Sequence, residues 1–194
     1  MRLRLHTRAS PIHTLGPYAR YGIWVQGCGR RCDGCITPEA QSLDGGYEME
    51  VEELCREILR EPSLEGITIS GGEPYLQADA LVELIEMLRL SADLGVIVYT
   101  GNCYEQIQGE RLTALCDAII DGPYRKDRDD GKSLRGSDNQ RLILRTDRYR
   151  GLMPFGTIDR QVETFVSSEG DIALVGVPPR AEHRKSEEEK KNGI

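Results

Sequence analysis

From Tyr47 onward the chain alternates short apolar runs with helical stripes, and the runs halt at glycine-containing turns. Val51, Leu54, Cys55, Ile58 and Leu59 recur at helical spacing and stop before Pro62. Leu81, Leu84, Ile85 and Leu88 repeat that stripe, and a short helix is expected over 104–115. Between them GITIS (66–70) ends at Gly71-Gly72, GVIVYT (95–100) at Gly101-Asn102, and DAIID (117–121) at Gly122. RLILR (141–145) reads as one more strand. Such alternation predicts an α/β fold with a parallel sheet or barrel. A closed eightfold barrel takes ~250 residues. The 194 residues here supply about five or six βα units, so the expectation is an open, partial βα barrel over residues 1–150. Residues 151–180 read as a C-terminal β-hairpin extension turning at Glu169-Gly170-Asp171, and 181–194 as a disordered charged tail containing His183. The polar connection 123–140 is long enough to be a functional loop.

Charge and hydropathy narrow the class. A net charge of −7 argues against a nucleic-acid partner. No stretch has the ~18–20 apolar residues of a membrane span, and MRLRLHTRASP has no apolar leader core, so a soluble cytoplasmic protein is expected. Of six cysteines, three are packed into VQGCGRRCDGC and three are scattered. In a reducing compartment clustered thiols bind metal or do chemistry. Cys55 and Cys116 read as core residues; Cys103 falls just past a strand end; the three lack the close spacing of an auxiliary cluster.

Cys28, Cys32 and Cys35 follow the apolar strand YGIWVQG at C-x3-C-x2-C spacing, among Gly27, Gly29 and Gly34. Arg30 and Arg31 add charge that favours thiolates. Soft ligands of this kind suit zinc or an iron–sulfur cluster. Zinc would need a fourth ligand, and neither His6 nor His13 has zinc-finger spacing. A cubane on three cysteines leaves one iron open to a substrate or cofactor. Spacing alone leaves both readings standing, including a non-enzymatic zinc- or cluster-binding interaction module.

Two further strand ends carry candidate binding groups. Gly71-Gly72-Glu73-Pro74 lets backbone approach a ligand and offers a carboxylate to an ammonium group, or is an ordinary turn. Thr100-Gly101 and Asp121-Gly122 stand at the next two ends.

The ordered pair Cys28-x3-Cys32-x2-Cys35 and ISGGEP resembles the radical S-adenosylmethionine superfamily. VYTG and DAIIDGPYRKDRDD…LRGSDNQRLIL resemble, more narrowly, glycyl radical enzyme activating enzymes, nearest the activating proteins of anaerobic ribonucleoside-triphosphate reductases. The resemblance implies that the three cysteines hold a [4Fe–4S] cluster whose open iron is chelated by S-adenosylmethionine. It implies that an electron from the cluster yields a 5′-deoxyadenosyl radical that abstracts a hydrogen atom, with no catalytic side chain beyond cluster and cofactor. Gly34, Ile36, Gly71, Gly72, Glu73, Thr100 and Asp121 are then the cofactor-binding positions, and Arg135 and Asn139 belong to a partner-facing loop at the open barrel mouth. The implied partners are a large glycyl radical enzyme and an electron donor such as flavodoxin or ferredoxin. Ile36-Thr37 stands where that family usually has an aromatic residue and an asparagine, and the chain continues well past RGSDNQ. The alternative is a radical enzyme acting on a peptide or small metabolite, with the added hairpin as specificity element.

Overall fold

A computed structural model describes residues 1–166 and 172–177. The apolar runs become β2 (Arg20–Val25), β4 (Gly66–Gly71), β5 (Gly95–Tyr99) and β6 (Ala118–Asp121), paired in parallel in that order. Helices carry the chain back between them: α1 (Val51–Arg60), α2 (Ala78–Arg89), and the short α3 (Tyr104–Ile107) and α4 (Arg111–Leu115). The expected helix over 104–115 is thus broken in two around Gly109, the residue with least to hold it helical.

Alternation along the strands divides the core. Ile67, Ile69, Val96 and Val98 face the apolar stripes of α1 and α2 in one cluster. Their neighbours face the other way: Trp24 lies in a second cluster, Ile97 and Ile120 in a third. Every residue of β2 and β6 is buried, as strands covered on both faces must be.

The sheet has seven strands, adding β1 (Arg2–Ile12), β3 (Tyr47–Glu50) and β7 (Arg141–Leu144), in the order β3-β1-β2-β4-β5-β6-β7. It is open, with β3 and β7 as edges, and only its centre is parallel. The expected five or six βα units reduce to three helical crossovers. The reason is the stretch 123–140, which contains one 3₁₀ turn, Lys126–Arg128, and returns β7 antiparallel to β6. At the other edge, Glu48 and Glu50 belong to a strand rather than to the start of α1. Arg2 Nε donates to Glu50 at 2.6 Å and Arg4 Nη2 to Glu48 at 2.6 Å across the β1–β3 register, while Leu3 and Leu5 point into the core.

Beyond β7, β8 (Val162–Val166) and β9 (Ile172–Gly176) pair antiparallel in a sheet of their own, at the position of the expected hairpin. The expected turn Glu169–Asp171 and the expected tail, with His183, lie outside the described residues. The face of the sheet opposite the helices is covered. Val175 and Phe165 pack with Ile12, Leu15 and Trp24, and Tyr149, Met153 and Phe155 with Ile97 and Ile120. Among the described residues no helix is long and apolar enough to cross a membrane.

Candidate functional site

The cysteine loop grows out of the C-terminal end of β2 and is tied back by backbone bonds. Gly27 N donates to Ala40 O at 2.8 Å and Cys28 N to Gln41 O at 3.1 Å, closing the loop on itself. Buried Gln26 reaches across its base, donating to Glu39 O at 3.0 Å and Ser42 O at 2.6 Å. The glycine pair after β4 is stitched to the same root: Gly72 N donates to Val25 O at 2.7 Å and Glu73 N to Gly27 O at 2.8 Å. Gly71 has φ +101°, and a Cβ there would lie 2.5 Å from the backbone of Val25. A Cβ on Gly72 would run into the Gly27 carbonyl. Glycine is therefore required for two backbones to meet, whereas the sequence alone assigns it to approach of a ligand.

Cys28, Cys32 and Cys35, all half-buried, line one open cavity of about 160 Å³ together with Ile36, Gly71, Gly72, Glu73 and Thr100. Burial first, and then the neighbouring Cys35 and Cys28, push the Cys32 thiol above its ordinary value; Arg30 acts the other way and is outweighed. A thiol pushed up in this way is relieved by a cationic centre, which displaces its proton. Among the described residues no three His, Cys, Asp or Glu side chains converge tightly enough to hold a metal ion. Three thiols on the wall of one cavity are a donor set that a cluster of several irons takes.

The carboxylate of Glu73, 5% exposed, is held at both oxygens. Oε1 accepts from Thr100 Oγ1 at 2.7 Å and Tyr75 N at 3.2 Å, and Oε2 from Gly101 N at 3.0 Å. Arg30 Nε stands 3.7 Å from Oε2, while its Nη2 donates to Asn102 Oδ1 at 2.6 Å. Sequence alone gives Arg30 only to the thiols; its links to Glu73 after β4 and to Asn102 after β5 have no sequence signature.

Other expected positions stand apart from this cavity. Gly34, at φ +69°, makes the turn between Cys32 and Cys35, against the Lys126 side chain. Asp121 is fully buried, accepting from Tyr104 N at 2.7 Å, where it caps α3, and from Arg141 Nε at 3.0 Å. Arg135 pairs with Asp130 and lies over the Phe155 ring, and Asn139 Nδ2 donates to Pro123 O at 2.8 Å. Both shape the 123–140 loop from within, and it is Tyr124, Gly136 and Gln140 of that region that reach the cavity. Cys55 and Cys116 are buried, the latter with its thiol pushed up to about 12 by burial, and Cys103 precedes α3 outside the cavity lining. Trp24 belongs to no motif, and Tyr99 is the tyrosine of the VYTG segment; both line the cavity, and the buried Tyr99 hydroxyl has no partner among the described residues. The one sequence signal of Trp24 is the strand alternation.

A protein-family model described as a 4Fe-4S single cluster domain matches residues 14–143. The anaerobic ribonucleoside-triphosphate reductase-activating protein of Enterobacteria phage T4 is 31% identical over 137 residues, covering 68% of this chain and 88% of that one. The pyruvate formate-lyase-activating enzyme of Clostridium pasteurianum is 31% identical over 146 residues, covering 70% of this chain and 60% of that protein, so the chain spans less than two thirds of it. The 7-carboxy-7-deazaguanine synthase of Hyperthermus butylicus is 47% identical over 90 residues, 44% of this chain and 37% of that one. With three cysteines and a held carboxylate around one cavity, these matches mean that the chain belongs to the radical S-adenosylmethionine, glycyl radical activating enzyme family, whose cofactors are a [4Fe–4S] cluster and S-adenosylmethionine.

Proposed function

We propose that this chain generates a glycyl radical on a large anaerobic ribonucleotide reductase-like partner. The observation that carries the reading is the single cavity that joins Cys28, Cys32 and Cys35 to the Glu73–Thr100–Gly101 cluster. Coverage of 88% of the phage T4 activator supports the choice of partner class. When bound, the reduced cluster supplies the one electron that splits S-adenosylmethionine into methionine and a fragment that leaves as 5′-deoxyadenosine after taking one hydrogen atom.

The chain's own residues position and shield. Glu73 receives the methionine ammonium, held to one orientation by the Thr100 hydroxyl and the Gly101 N–H. Gly71 and Gly72 fix the distance between that carboxylate and the cysteine loop, Gly34 turns the loop, and Ile36 gives the cofactor an apolar wall. Asp121 acts at one remove, capping α3 behind the strand ends. Arg135 and Asn139 hold the loop that presents Gly136 and Gln140 to the partner. The exposed Arg31 beside the thiols suits an acidic one-electron donor of the flavodoxin or ferredoxin class.

The test mixes reduced, cluster-loaded protein, S-adenosylmethionine and an anaerobic reductase from the same source, and records an electron paramagnetic resonance spectrum. A carbon-centred glycyl doublet with about one 5′-deoxyadenosine per radical is expected. Cofactor cleavage with every glycyl radical enzyme of that source silent overturns the reading. In that event a second reading applies, a radical enzyme acting on a peptide or small metabolite, which the 47% identity to a 7-carboxy-7-deazaguanine synthase over 90 residues favours.

A further inference from the structure

The family match ends at residue 143, and the chain beyond it alters the cavity. Helices cover one face of the sheet; on the other, Trp24, Ile97 and Tyr99 depend on the segment C-terminal to β7. Tyr149 and its neighbours cover Ile97 and Ile120, and the β8–β9 pair covers Trp24 and Leu15 through Val175 and Phe165. The end of β9 does more than cover. Gly176 and the residue after it, Val177, line the same cavity as the three thiols and Glu73. Val177 also lines a second, smaller cavity beside His13 and Arg160.

The pair is fastened at its root by the Glu163 carboxylate and by Thr14 Oγ1, which also donates to Val175 O at 3.3 Å. Glu163 Oε2 accepts from His13 N at 2.7 Å, Thr14 N at 3.1 Å and Thr14 Oγ1 at 3.0 Å, and Oε1 lies 2.9 Å from His13 Nδ1. Gly176, at φ +120°, runs so close to β8 that a Cβ would sit 2.6 Å from Gln161 O. The strand therefore reaches the cavity as bare backbone, and the branched Val177 is its first side chain there. Gly72, Gly101 and Gly136 line the same cavity among larger side chains such as Trp24, Tyr99 and Tyr124. Among the described residues, Val177 is the side chain that the segment beyond β7 adds to that lining.

We propose that β8–β9 is the substrate-selecting wall of this cavity, with Val177 the specificity-determining residue and Glu163 the positioning residue that holds the wall. This rests on the reading that the cavity takes S-adenosylmethionine and a glycine-bearing protein segment. Arg160 supports the wall from the loop side. Its buried guanidinium donates to Gly136 O at 2.6 Å and pairs with Asp129 at 2.7 Å, so the same extension also sets the position of Gly136.

Trp24, the chain's single tryptophan, lies beneath the wall and reports on it without turnover. The experiment is acrylamide quenching of Trp24 fluorescence in the full, cluster-loaded chain. The wild type is expected to be protected. Glu163→Ala, which removes the carboxylate acceptors at the root and leaves the Thr14 Oγ1–Val175 O bond, should raise opening of the wall about tenfold, and Glu163→Gln, which keeps an acceptor oxygen, should restore part of the protection. Val177→Ala should leave Trp24 protected yet raise uncoupled 5′-deoxyadenosine formation in the absence of any partner, because the cavity is then less well closed. Equal quenching of wild type and Glu163→Ala, or unchanged uncoupled cleavage in Val177→Ala, overturns the wall. A silent partner with the quenching contrast intact overturns only the activating reading.

Discussion

The two ends of the parallel strands are built on opposite terms. Where β2, β4 and β5 begin, Arg20 is fully buried and its guanidinium is saturated. It donates to Thr68 Oγ1 at 2.6 Å, Glu65 Oε2 at 2.9 Å, the Tyr149 hydroxyl at 2.7 Å, Ile67 O at 2.6 Å and Gly95 O at 3.0 Å. Arg148 Nε closes the other oxygen of Glu65 at 2.7 Å. Where the same strands finish, three thiols, a buried tyrosine hydroxyl and a carboxylate face a cavity. One end satisfies its polar groups in a buried cluster and so fixes the sheet. The other holds its carboxylate within the chain as well, but at the wall of an open cavity where a bound group can reach it.

The contrast can be broken most severely at its closed end. Arg20→Met leaves the buried Thr68 hydroxyl and the carbonyls of Ile67 and Gly95 without their shared donor, and should cost roughly 3 kcal/mol in chemical denaturation of the metal-free chain. At the open end the opposite is expected. Cys28→Ala, Cys32→Ala or Cys35→Ala should abolish iron and sulfide incorporation while leaving apo-protein stability within about 1 kcal/mol of wild type. Cys55→Ala should retain the iron and lose about 1–2 kcal/mol, because that thiol is core. Full iron content in Cys32→Ala would show that the thiols at this cavity are not the cluster ligands.

Gly72→Ala sharpens the comparison, because this residue belongs to both kinds of structure. Its Cβ would meet the Gly27 carbonyl, so a loss of about 1–3 kcal/mol is expected before any cofactor is added, together with weaker S-adenosylmethionine binding by calorimetry. Weaker binding at unchanged stability would mean the residue faces only the ligand. The smallest effect concerns Glu163. Burial works against its charged form, but hydrogen bonds from His13 and Thr14 win and hold the carboxyl below its usual range. A depressed pKa stabilises above the unfolded value of about 4.3 and is lost as pH falls through the folded one. Trp24 quenching should therefore be flat from neutrality down to about pH 5 and rise below about pH 4. A rise that sets in well above about pH 5 would overturn the latch.

Legible in the sequence is whatever repeats with a period or sits at fixed spacing. The four inner strands, the stripes of α1 and α2, the cysteine loop and the glycine pair all have that character. β1 and β3 do not, because their regularity is Arg opposite Glu across two segments some forty residues apart, and alternation of Leu with Arg in RLRL has no apolar run to announce it. Asp121 shows the limit at the site. A carboxylate at a strand end looks the same in sequence whether it faces a ligand or caps the next helix, and here it caps. Arg30, Arg160 and Glu163 act through partners far along the chain, and a single sequence holds no trace of such pairings.

The family match stops at residue 143, yet Tyr149 completes the shell of Arg20 and Arg160 holds the carbonyl of Gly136. Cutting the chain at that boundary would therefore not yield a minimal enzyme. It would bare Ile97, Ile120 and Leu142 to water and unseat a guanidinium at the centre of the sheet. The segment is thus part of the core as well as of the cavity lining, and its loss would be felt first as instability rather than as a change of substrate.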